Sequence, residues 1–170
     1  AKKIKEDDIQ KEIGFFRGQI VSPHQLSKAR NKLKEKYAEK GYTLAEIKTD
    51  TLSGPRKGRV IARFIIDEGK KVQVQRIRFF GNTEFEDSKL RKQMKEIKED
   101  RWWRSGDFDK EEFAEDKKKI VEFYNNEGFR DAEIIKDSLY YDDQKEDMFI
   151  DLWVREGQCY YIGDVSWEGN

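Results

Sequence analysis

His24 and Cys159 are the only histidine and the only cysteine in this sequence, and they bound the chemistry it can perform. A lone cysteine cannot form an intrachain disulfide, and one His with one Cys cannot build a zinc site of the usual composition. His24 falls just inside a helix start, Ser22-Pro23-His24-Gln25, with no nucleophile in a supporting context, so a solvent-exposed position is expected. Asp142-Asp143 could attract a cation, yet Asp142-Asp143-Gln144-Lys145 reads as the turn of a hairpin. No G-x-x-x-x-G-K phosphate loop is present. These residues point away from an enzyme and imply no cofactor and no metal. Trp102-Trp103 is the remaining local feature. Either both rings form an exposed aromatic contact of the kind enriched at binding hot spots, or one closes a core while the other packs on Phe108.

Bulk composition narrows the class further. Thirty-five Lys and Arg balance thirty-five Asp and Glu, which removes the basic footprint of a dedicated nucleic-acid binder. Hydrophobic residues make up 36%, so the cores must be small, while 13% aromatics argue against disorder. No apolar run is long enough for a membrane-spanning helix, and AKKIKEDDIQ lacks the apolar stretch of a signal peptide.

The elements that must position these residues come in two copies. EGKKVQVQRIRFFGN at 68–82 returns as EGQCYYIGDVSWEGN at 156–170, with Gly81 and Gly169 at an offset of 88 residues. At an offset of 87, Leu33 matches Ile120, Tyr37 matches Tyr124 and Gly41 matches Gly128. Ser22 and Asp109 each open a helix, with Val21/Leu26 and Phe108/Phe113 as hydrophobic staples. Leu26, Ala29, Leu33 and Tyr37 keep helical spacing, and Gly41 and Gly128 supply the left-handed residue that ends each helix. Each glycine is followed by a strand, a turn and a returning strand. Val60, Ala62, Phe64 and Ile66 correspond there to Met148, Ile150, Leu152 and Val154, the alternation of a face that meets a core. A shorter helix precedes the capped one, with Ile9 and Ile13 matched by Leu90 and Met94. The full unit reads strand, helix, helix, strand, strand. The chain starts and stops inside this pattern, and so reads as a piece of a longer one.

A strand ending Gly81-Asn82, a capped helix carrying FYNNEGFRDAEI and a closing strand ending VREG resemble the POTRA (polypeptide-transport-associated) family of BamA-like outer-membrane barrel assembly factors. The resemblance implies an α+β fold of tandem βααββ modules, each with two helices on one face of a three-stranded mixed sheet. It places a module lacking its first strand at 1–70, a complete module at 71–157, and the first strand of a following module at 158–170. The residues that mark the repeat are Gly41, Gly69, Gly81, Asn82, Tyr124, Gly128, Gly157 and Gly169. The RWWRSGDFDK insertion is similar to the third module of a five-module array, which would make the first copy the second.

The resemblance further implies the periplasmic part of an outer-membrane protein, followed by a membrane barrel. Its partners would be unfolded outer-membrane proteins and accessory assembly lipoproteins, with no nucleic acid. Clients would add as strands to a sheet edge, where main-chain bonds accept varied sequences. The strand after each capped helix is the expected edge: Ala45, Ile47 and Thr49 in the first copy, and Ala132, Ile134, Ile135, Lys136 and Leu139 in the second. A two-partner-secretion or autotransporter-assembly protein uses the same modules. A small α/β RNA-binding module shares the element order but requires a basic, aromatic sheet face.

Overall fold

The computed structural model describes residues 4–16, 18–101 and 106–169, except the side chain of Glu6. They form two compact units, residues 1–72 with 107–110, and residues 73–106 with 111–170.

The first unit contains α1 (Glu6–Ile13), α2 (Pro23–Glu39), β1 (Glu46–Ser53) and β2 (Val60–Asp67). Ser22 opens α2 with a reciprocal capping box. Its hydroxyl accepts the Gln25 N–H at 3.2 Å, and the Gln25 side chain accepts the Ser22 N–H at 2.9 Å. The apolar stripe turns Ala29, Leu33 and Tyr37 inward, and His24 lies exposed on the first turn. Leu33, Tyr37, Tyr42, Ala45 and Ile47 form the core, with Ile9, Ile13, Phe64 and Ile66 packed against it. β1 and β2 pair antiparallel as a two-stranded sheet.

The second unit contains β3 (Gln73–Phe80), α3 (Asp87–Gln93), α4 (Lys110–Asn126, which starts at the unit boundary), β4 (Glu133–Tyr141) and β5 (Asp147–Arg155). Its strands lie in the order β3-β5-β4, with β3 parallel and β4 antiparallel to the central β5. Alternate residues Met148, Ile150, Leu152 and Val154 of β5 are buried with Val74, Ile77 and Phe79 of β3. Leu90, Phe113, Ile120 and Tyr124 supply the buried apolar positions of the two helices.

Met94 is buried but lies just past the end of α3, where the repeat placed it inside the helix. The cause is the Asp116 carboxylate of α4, fully buried, which accepts the N–H groups of Lys95, Glu96 and Ile97 at 2.7–3.3 Å. Those amides serve the carboxylate instead of a further helical turn. Asp142 behaves as a turn residue, its side chain accepting the N–H groups of Glu146 and Asp147 at 3.0 Å. Residues 156–169 form no helix or strand, and the side chains of Tyr161 and Trp167 are 88% and 90% exposed.

Candidate functional site

The two outer edges of the second sheet differ. β3 has most of its outward main-chain groups occupied. The Val74 N–H donates to the Gly106 carbonyl and the Val74 carbonyl accepts the Asp100 N–H, both at 2.6 Å. The Ile77 N–H donates to the Glu99 carboxylate at 3.0 Å, and the Ile77 carbonyl accepts from Arg91 at 2.8 Å. The Phe79 N–H reaches Asp87 at 3.4 Å. That edge is closed.

β4 pairs with β5 alone, and its far edge has no strand partner among the described residues. The Asp142 N–H donates to the Asp147 carbonyl, which fixes the phase of the antiparallel ladder. Counting back, Tyr140, Ser138 and Lys136 direct their N–H groups toward β5, while Tyr141, Leu139 and Asp137 direct theirs outward. The register shifts between Ile134 and Lys136, so Ile135 is the extra residue of a β-bulge, with its side chain 55% exposed. The broken alternation at Ile134-Ile135 has its cause there.

Beside this edge runs a groove of about 450 Å³ lined by Ala114, Lys117, Lys118, Val121, Glu122 and Ile134. The five α4 residues share one helical stripe, and Ile134 belongs to the helix-facing side of β4. Asp137 pairs with the inward Leu152, which puts its side chain on that same side, and Lys117 Nζ binds its carboxylate at 2.7 Å. An open edge and a part-apolar groove thus lie together, as an added strand requires.

Of the residues expected at the edge, Ile134, Ile135, Lys136 and Leu139 lie on β4, and Ile47 and Thr49 on β1. Ala45 and Ala132 do not. Each directly precedes its strand and is buried, because a methyl group fits where the chain leaves the helix for the sheet. β1 also offers a free edge among the described residues, although the Thr51 N–H is taken by the Asp50 side chain at 2.8 Å. Trp102 and Trp103 lie outside the described residues.

The repeat glycines take up positive φ, among them Gly81 at +82°, where a Cβ would collide with the Val154 carbonyl oxygen. Asn82 ties its turn down by donating to the Phe85 carbonyl at 2.9 Å and to Asp87 at 3.0 Å. The Glu of each Glu-Gly pair receives a helix tyrosine: Tyr37 donates to Glu68 at 3.4 Å and Tyr124 to Glu156 at 2.9 Å. Burial first, then the Glu68 charge and hydrogen bond, push the Tyr37 hydroxyl up to about 12. Glu156 further accepts the Thr83 hydroxyl and N–H and the Glu84 N–H at 2.6–3.3 Å. Sequence reading did not find this cluster, although the recurrence of Tyr and Glu at matched positions carried the signal.

The family model described as "POTRA: Surface antigen variable number repeat" matches the chain twice, over residues 1–69 and 72–157. The chain belongs to the POTRA family. It is 32% identical over 176 aligned positions to "Outer membrane protein assembly factor BamA" of Neisseria meningitidis serogroup B. It is 29% identical over 175 to "Putative outer membrane protein assembly factor" of Treponema pallidum. These alignments cover 100% and 99% of the chain but 22% and 20% of those proteins, so it spans about a fifth of their length. The fold is similar to Haemophilus influenzae BamA POTRA3-5, with a TM-score of 0.50 and 19% identity, over 99% of this chain and 67% of that one.

The sheet face of the second unit turned away from the helices is aromatic, but Asp151 binds the Arg78 guanidinium at 2.7–2.8 Å, so it departs from the basic face that the RNA-binding alternative required. Phe149 stacks on Tyr140 at 5.4 Å and carries the Arg76 guanidinium at 5.4 Å. Phe80 stacks on Trp153 at 5.1 Å, with Arg78 over Phe80 and Lys136 over Trp153. Each of Phe80, Phe149 and Trp153 therefore has a ring stacked on it and a cation over it, which leaves little open π-face for a base. Among the described residues no three His, Cys, Asp or Glu side chains cluster as a metal site, and no helix is long and apolar enough to cross a membrane.

Proposed function

We propose that these POTRA modules receive unfolded outer-membrane protein strands in the periplasm by strand addition, with the β4 edge as the docking site. The chain would act as a binding module of an assembly factor, without catalysis or cofactor, ahead of a membrane barrel and beside accessory lipoproteins. Residues 158–170 would open a further module. One observation carries the reading: β4 has an open outer edge next to a groove, while the outward groups of Val74 and Ile77 on β3 are already bonded. Main-chain hydrogen bonds to Asp137, Leu139 and Tyr141 would tolerate clients of varied sequence. The relatives' names, as assembly factors of the outer membrane, support the role.

The test is a proline at an outward amide. Asp137→Pro removes one outward donor and leaves the amides of the β4–β5 ladder in place, since edge strands accept proline where the N–H faces solvent. Binding of a fluorescein-labelled peptide copied from a transmembrane strand of a β-barrel protein is followed by anisotropy. The variant should bind at least tenfold more weakly than Asp137→Ala, a control that lacks the same carboxylate but keeps the amide. Unchanged binding of the proline variant, with its circular dichroism intact, would exclude β4.

A further inference from the structure

An edge strand left open is a site of indiscriminate pairing, and a charged side chain pointing inward near its middle is one way of blocking it. Asp137 is such a residue. It sits on the helix-facing side of β4, in register with the fully buried Leu152, yet stays part-exposed because no strand lies beyond it. Any strand added to β4 would cover that carboxylate. Covering an unpaired carboxylate is costly, whereas covering one already paired and hydrogen-bonded costs much less. Lys117 supplies the pairing from α4, its ammonium 2.7 Å from the carboxylate, with the two side chains 29% and 35% exposed. It lies in the wall of the groove the new strand would enter.

Resting on strand addition at β4, we propose that the Lys117–Asp137 ion pair is the selectivity gate of this edge. It admits strands that can cover the pair and satisfy its remaining hydrogen-bonding capacity, and it rejects others. The gate specifies a ligand. The inward residues of β4 on either side of Asp137 are Ile134 and Leu139, and the groove adds Val121 and Ala114. A fitting strand therefore carries apolar residues at two alternate inward positions, with an uncharged hydrogen-bonding residue, Ser, Thr or Asn, between them opposite Asp137. A carboxylate at that middle position would face Asp137 and be repelled. An all-aliphatic inward face would cover the ion pair without bonding it.

A single and a double variant test the gate with a fluorescein-labelled nine-residue peptide that alternates Leu and Gln, Thr replacing the middle Leu. Anisotropy gives affinity, and sedimentation velocity gives the association state. Lys117→Met leaves the inward carboxylate alone and should weaken peptide binding at least tenfold. Lys117→Met with Asp137→Leu removes the block and should bind more tightly than wild type, accept an all-Leu inward face, and self-associate through β4. Changing the peptide Thr to Asp should weaken binding to wild type at least tenfold and should matter less in the double variant.

Amide NMR spectra of the free variants establish that β4 is intact, with Lys117→Gln held as a second variant should Lys117→Met unfold. If the lysine variant binds as well as wild type while Asp137→Pro still loses binding, the gate is overturned and strand addition stands. If Asp137→Pro binds as wild type does, strand addition at β4 falls first.

Discussion

Glu156 shows how one side chain closes a module. The residue is buried, yet its carboxylate gathers the Tyr124 hydroxyl from α4 and the hydroxyl and amides of Thr83 and Glu84 that follow β3. Burial alone would push its pKa up, but the hydrogen bonds from Thr83, Glu84 and Tyr124 outweigh it and hold the carboxyl below its ordinary value. A depressed folded pKa means stability that is fully present above the ordinary glutamate range and lost as pH falls through the folded value. Glu156→Gln should therefore destabilise the second unit at pH 7 by about 1.5–3 kcal/mol, the worth of hydrogen bonds to a charged group. Its thermal midpoint should vary less between pH 7 and pH 3 than that of wild type. Melting curves across that range check the sign: a deficit that persists undiminished at pH 3 would mean that the charge does not matter.

Among the elements, α3 is the one whose length is set from a distance. Its last turn gives way to Lys95, Glu96 and Ile97, whose amides converge on Asp116 of α4. Asp116→Ala would strand donors in a buried place, at about 1–3 kcal/mol for each group left unsatisfied. Urea denaturation followed by Phe and Trp fluorescence should show a loss of about 3 kcal/mol or more, while a loss below 1 would mean that water replaces the carboxylate. This interaction was illegible in the sequence because an aspartate in a charged helix looks like any solvated one. The elements themselves were legible, since Leu33/Ile120, Tyr37/Tyr124 and Gly41/Gly128 recur in register and each alternating strand names its buried face. The site was half legible. Ile134-Ile135 announced an irregular edge, and the structure makes it a bulge. The closing of the β3 edge by Glu99, Asp100, Gly106 and Arg91 depends on contacts between distant residues that no local pattern encodes.

At the scale of the whole molecule, the two units differ in how completely their sheets are built. β5 is hydrogen-bonded along both sides, whereas β2 is bonded only to β1 among the described residues. The first unit leaves Leu52, Val60, Ile61 and Ile65 exposed, and its cluster of buried residues is the smaller one. A two-stranded ribbon depends on the helix packed against it, so the local opening free energy of β1 and β2 should be lower than that of the three-stranded sheet. Native-state hydrogen exchange read by NMR should find the β2 amides bonded to β1 exchanging at least tenfold faster than those of β5. Ligand that docks on β4 should slow exchange at Asp137, Leu139 and Tyr141 and leave β2 unchanged. Equal protection of β2 and β5 would show that something other than strand pairing, such as burial under α2, governs the stability of the first unit.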